Sequence, residues 1–171
     1  MKWLMKQFGA SFIVAGLVCV LTNSIRAADT RIDVAQIIDK AAAESVIGEP
    51  VKSPAPRNVD GKDGYYSKCN YYSATPGKTL LIRVYQAAAG VDPQKELEMV
   101  AENTGAMRSI SGLGEKARMS SGTEGGLPSH VVMLYVVKGN ALITVGLGGL
   151  EDEAAAGEKA KSVAQKILAK L

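Results

Sequence analysis

The chain has 171 residues, with 20 Lys and Arg against 17 Asp and Glu, two cysteines and one histidine. Three of the basic residues (Lys2, Lys6, Arg26) and no acid lie in residues 1–28, so residues 29–171 carry 17 charges of each sign. That balance gives no bulk attraction to nucleic acid or to an anionic membrane, and one histidine with so few cysteines does not suggest a zinc centre.

The N-terminus sets the destination. Lys2 and Lys6 precede an apolar run from Phe8 to Leu21, then polar Thr22-Asn23-Ser24 and the small-residue end Arg26-Ala27-Ala28. This is the layout of a secretory signal peptide. The run of about 14 residues falls short of the ~20 that cross a bilayer as a helix. Val18, immediately before Cys19, is too bulky for a lipidation site. The expected organisation is a signal peptide over residues 1–28 and a single α+β domain over residues 29–171. That domain is expected to have no transmembrane span and to be periplasmic or secreted. Trp3, Phe8 and Phe12 belong to the signal, which leaves six tyrosines as the domain's aromatic residues.

Apolar residues Ile32, Val34, Ile37, Ile38, Ala41 and Ala42 recur at helical spacing and predict one helix over 31–46, capped by Asp29 or Thr30. Gly48-Glu49-Pro50 ends it. Pro54, Pro56 and the run Asp60-Gly61-Lys62-Asp63-Gly64 read as an extended loop, with a short edge strand at Val51 to Ser53. Two strands follow, over 65–73 and 79–87, joined by Thr75-Pro76-Gly77-Lys78. By alternation Tyr65, Ser67, Cys69 and Tyr71 share one face of the first strand. Tyr66, Lys68, Asn70 and Tyr72 share the other. In the second strand Leu80, Ile82 and Val84 form the apolar face, with Leu81, Arg83 and Tyr85 half exposed opposite. On this reading Lys68 and Arg83 fall on opposite-facing sets and form no joint anion clamp.

Asp92 and Pro93 open a helix over 92–103, which Gly105 stops. A weaker strand spans 116–120, and the Gly-rich stretch 120–129 is a loop. The strongest strand signals are 130–137 and 141–147. The first is apolar on both faces and therefore central, covered twice. A final helix over 152–171 begins with Glu151, Asp152 and Glu153 and ends with Lys166 and Lys170, as the helix dipole favours. The fold class is α+β, with an antiparallel sheet of five to six strands and three helices. Each half reads loosely as a helix followed by a hairpin, without a residue-level repeat.

No catalytic set emerges, and no cofactor is implied. Gly112-Leu113-Gly114-Glu115-Lys116-Ala117 mimics a dinucleotide fingerprint, but no strong strand precedes it and no amphipathic helix follows. Asn58, Asp60 and Asp63 lack the spacing of a calcium loop. Three roles are open to Cys69: a buried apolar filler, a reactive thiol with His130 as its base, or a disulfide bridge in a homodimer. The tyrosines form the candidate binding surface, Tyr65, Tyr66, Tyr71 and Tyr72 on one strand and Tyr85 on its neighbour, because each offers apolar area with a polar tip.

Val46-Ile47-Gly48-Glu49-Pro50-Val51, Cys69-Asn70-Tyr71, Ser111 to Ala117 and Val137-Lys138-Gly139-Asn140 occur in that order. With them the chain resembles the small exported domains of unknown function in bacterial envelope proteins, including actinobacterial lipoproteins. It departs from that pattern in having no lipobox and one cysteine after residue 28, where such domains often have two. The resemblance implies no catalytic residues. The expected function is a non-catalytic exported domain that binds a small molecule or a protein partner. The alternatives are a thiol enzyme using Cys69 and His130, and a homodimer bridged through Cys69.

Overall fold

The computed structural model describes residues 31–123 and 130–171. The signal-peptide reading lies outside the described residues, as do the proposed caps Asp29 and Thr30 and the loop residues 124–129. The first helix is two: α1 (Val34–Ile37), capped by Asp33, and α2 (Lys40–Ile47), capped by Asp39. The break has a local cause. Asp39 turns its side chain onto the backbone N–H of Ala42, which starts a new helix and leaves Ile38 extended. The Tyr71 hydroxyl donates to the Ile38 carbonyl that the break frees.

Next come β1 (Arg57–Asp60), β2 (Gly64–Tyr72) and β3 (Thr79–Ala87), then α3 (Pro93–Thr104). The chain continues through β4 (Arg108–Ile110), β5 (Lys116–Thr123), β6 (His130–Lys138) and β7 (Ala141–Leu150) to α4 (Glu153–Leu168). The seven strands form one antiparallel sheet in the order β1-β2-β3-β7-β6-β5-β4. The α+β class stands, with two more short strands than the sequence patterns mark. β1 is exposed along its whole length, so no apolar alternation announces it. Val51 makes only an isolated bridge to Ser73. The middle strand is β7, with β6 beside it.

The helices divide unequally between the two faces. α1 and α2 pack on β2 and β3, and α4 packs on β6 and β7. Together they bury Cys69, Tyr71, Leu80, Ile82, Val84, Leu134, Val136, Ile143 and Val145 beneath them. Ala156, Ala160, Val163, Ala164 and Ile167 form the buried stripe of α4. Backbone donors where the chain enters α1 are met from the sheet. Ser67 Oγ accepts from the Val34 N–H at 2.9 Å and donates to Asn58 Oδ1 at 2.7 Å. Gln86 Oε1 accepts from the Ile32 N–H at 2.7 Å.

Among the described residues, the opposite face carries α3 alone, against β3, β6 and β7. Leu97 and Val100 meet Tyr85, Tyr135, Val137 and Leu142 there. The two halves of the chain are therefore not repeats of one unit, because their leading helices lie on opposite faces of the sheet.

The β2–β3 register corrects the expected charge placement. Tyr72 pairs with Thr79, Asn70 with Leu81, Lys68 with Arg83 and Tyr66 with Tyr85. Lys68 and Arg83 thus lie directly opposite each other on the same face. The reason is that both inward sets, Cys69 and Tyr71 on β2 and Leu80, Ile82 and Val84 on β3, must enter one core. Their alternates are then forced onto the other face together. Gly64 closes the far end of this pairing at φ 153°, where an added Cβ would stand 2.2 Å from the Gln86 carbonyl oxygen.

Candidate functional site

The half-covered face holds a cavity of about 550 Å³, walled on one side by Glu96 and Val100 of α3. Its floor is built by cross-strand register. Arg57 pairs with Lys68, Lys68 with Arg83, Arg83 with Thr144, and Thr144 with Tyr135. One row therefore runs Arg57–Lys68–Arg83–Thr144–Tyr135 across five strands, and all five residues line the cavity. Among the described residues, none of Arg57, Lys68 and Arg83 forms a salt bridge.

A second row is aromatic. The Tyr66 and Tyr85 rings stack with centroids 4.7 Å apart and planes 18° from parallel. The Arg83 guanidinium lies over the Tyr66 ring, 5.0 Å from its centroid. The turn before β2 holds both phenols. The Tyr66 hydroxyl donates to the Asp63 carboxylate, and the Tyr85 hydroxyl donates to the Asp63 backbone carbonyl at 2.9 Å. The hydrogen bond from Tyr66 holds the Asp63 carboxyl below its usual range. Burial raises the Tyr66 hydroxyl well above its usual range, and the Asp63 carboxylate adds to the effect. Burial likewise raises Tyr85 and Tyr135. These phenols are neutral at physiological pH and act as apolar walls with polar tips.

Toward the other end of α3 the floor continues into a second hollow of about 620 Å³, and Leu81 and Met133 line both. Leu142 and Thr144 lie in the first cavity, while Gly146 and Gly148, farther along β7, line the second. The missing side chain at Gly146 is what admits Met133, since a Cβ there would sit 2.7 Å from the Met133 sulfur. At the β1 edge a small recess is lined by Arg57, Lys68, Asn70 and Tyr72. Within it Asn70 donates to the Tyr72 hydroxyl at 3.1 Å, while its Oδ1 is buried without a partner among the described residues.

The five tyrosines expected to form one surface are split by strand alternation. Tyr66 and Tyr85 line the cavity, and Tyr72, 50% exposed, borders the edge recess. Tyr71 is fully buried on the opposite face, and Tyr65 stands on that face beside Arg31, whose guanidinium is 5.1 Å from its ring centroid. Tyr135, Arg57, Leu81 and Met133 join the cavity although no sequence motif marks them. The Lys68–Arg83 pairing follows from the sequence, because sharing one core fixes which alternate residues of β2 and β3 share the other face, whereas Arg57 lies on an exposed strand that no core places.

Cys69 is fully buried beneath the helices, and burial raises its thiol pKa. His130 lies three strands away across β3 and β7, about 14 Å by strand spacing alone, with Nδ1 3.8 Å from Glu153 Oε2. The fold thus keeps this thiol from the histidine and from the surface, which removes the geometry that the enzyme and bridged-dimer alternatives need. Gly112 to Gly114 form the bend entering β5. The acids of the suspected calcium loop are engaged otherwise, Asp60 with Arg31 at 2.7 Å and Asp63 with Tyr66. Among the described residues, no three His, Cys, Asp or Glu side chains gather as metal ligands, and no helix is long and apolar enough to cross a membrane. No protein-family model matches the chain, and no curated protein is significantly similar to it.

Native protein at pH 8 is expected to leave Cys69 unlabelled by 5,5′-dithiobis(2-nitrobenzoate) until denaturant is added. Rapid labelling without denaturant would return the thiol to consideration as a reactive group.

Proposed function

We propose that this protein is an exported, non-catalytic domain of the bacterial envelope that binds a small molecule in the cavity beneath α3. The observation that carries the reading is the unequal covering of the sheet. Among the described residues, one face is sealed by three helices, and the other carries α3 over apolar side chains, three cations and neutral tyrosines that line about 550 Å³. That size lies within the range of small-ligand sites, roughly 300–1,000 Å³. The convergence of Tyr66, Tyr85 and Tyr135 with Leu81, Met133 and Leu142 supplies a mostly apolar lining, as such sites have. Export rests on the N-terminal pattern of Lys2, Lys6, the apolar run and Ala27-Ala28, and on the resemblance to envelope domains.

The neutral fluorophore N-phenyl-1-naphthylamine tests the cavity. Its emission is expected to rise and shift to the blue with folded protein, and Thr144→Trp or Val100→Trp, each filling the cavity from a different wall, is expected to weaken binding about tenfold or more. Unchanged emission with the folded wild-type protein contradicts the reading. For export, the intact mass of the protein taken from its native host is expected to begin at Ala28 or Asp29. A mass that retains residues 1–27 contradicts the cleaved signal.

A further inference from the structure

Resting on the cavity reading, we infer that the ligand is a small anionic amphiphile, an apolar chain or ring system ending in an acid group, with the acid held by the row Arg57, Lys68 and Arg83. Cross-strand neighbours stand about 5 Å apart at their Cβ atoms, and like charges placed directly opposite are destabilising. Here Lys68 has a cation opposite it on each side, Arg57 on β1 and Arg83 on β3. No carboxylate lies within salt-bridge distance of any of the three among the described residues, although the domain carries as many acids as bases. Three acids lie near the row, and Glu96, which lines the cavity from α3, stands outside salt-bridge distance of all three cations. Asp60 pairs with Arg31, and Asp63 receives the Tyr66 hydroxyl. An anion between these side chains converts the mutual repulsion into two or three charge-assisted hydrogen bonds.

The rest of the cavity fixes the ligand's other end. Glu96 lines the cavity from α3 and also borders a hollow shared with Asp63 and Tyr85, so its charge repels an acid from the α3 side. The acid group is thereby directed toward β1 and β2. From Arg83 the surface turns apolar through Leu81 and Met133 and continues into the second hollow beside Gly146 and Gly148. Met133, unbranched and polarisable, accommodates chains of differing shape. The cleft beside α3 suits a free small molecule, and three cations in a domain of zero net charge make a local clamp, with no broad field to draw in a membrane or a nucleic acid.

The test is displacement of N-phenyl-1-naphthylamine by decanoate and by 1-decanol, which share a chain length and differ in charge. Decanoate is expected to displace the probe at a concentration roughly tenfold lower than 1-decanol. That preference is expected to shrink in 0.5 M NaCl and to collapse in Lys68→Gln, which replaces an exposed side chain and leaves the fold intact. Equal potency of the two compounds overturns the acid clamp and leaves the cavity standing. Displacement by neither, with the probe still bound, overturns the amphiphile. Absence of probe binding overturns the cavity itself, and the inference with it. Co-sedimentation with phosphatidylglycerol vesicles without displacement by decanoate overturns the small-molecule assignment in favour of a membrane surface.

Discussion

The register between β2 and β3 is the constraint on which the rest of the structure depends. A slip of one residue would carry Cys69 and Tyr71 out of the core and bring Lys68 and Asn70 into it. Several independent contacts hold the pairing. Tyr71 reaches the Ile38 carbonyl at the break between α1 and α2, and Ser67 receives the first N–H of α1. Gly64 permits an approach to β3 that a Cβ would block, and Asp63 grips tyrosines from both strands. Contacts on both faces of the sheet therefore agree on a single pairing.

Two consequences follow from that pairing together. On the helical side it assembles the continuous core shared by α1, α2 and α4. On the other side it sets Lys68 beside Arg83 and places Tyr66 on Tyr85, and the β1–β2 register adds Arg57 to the line. The first consequence stabilises the fold, whereas the row of cations works against it, since like charges are brought together without a salt-bridge partner among the described residues. α3 lies across only part of this face, so the charged end of the row stays open while its aromatic end is covered. Proteins tolerate local conflicts with stability of this kind at functional sites.

Much of the architecture is legible in the sequence, for identifiable reasons. Asp92-Pro93 caps α3 where its residue types predict, because capping is a local interaction, and α4 begins at the acidic run expected to open it. β3 is legible because its alternating apolar face is long. β1 and β4 are not, since one is wholly exposed and the other has three residues. The split of the first helix hides behind a continuous apolar stripe, although Asp39 holds the signal for it. The cavity is the least legible part, because its lining comes from five strands and a helix whose order in the sheet no local pattern states. The basic row is intermediate. A shared core places Lys68 beside Arg83, while Arg57, on the wholly exposed β1, is placed only by pairing with β2.

The most direct measurement of this account needs no ligand. It is the unfolding free energy of Lys68→Glu in urea at low ionic strength, where surface charges are least screened. If Lys68 is flanked on both sides by unpaired arginines, reversing its charge turns two repulsive cross-strand pairs into two attractive ones. The account predicts a gain of about 1 kcal/mol that falls as salt is added. A variant that is less stable than the parent at low salt, or one whose stability ignores salt, would contradict the row and the register that creates it.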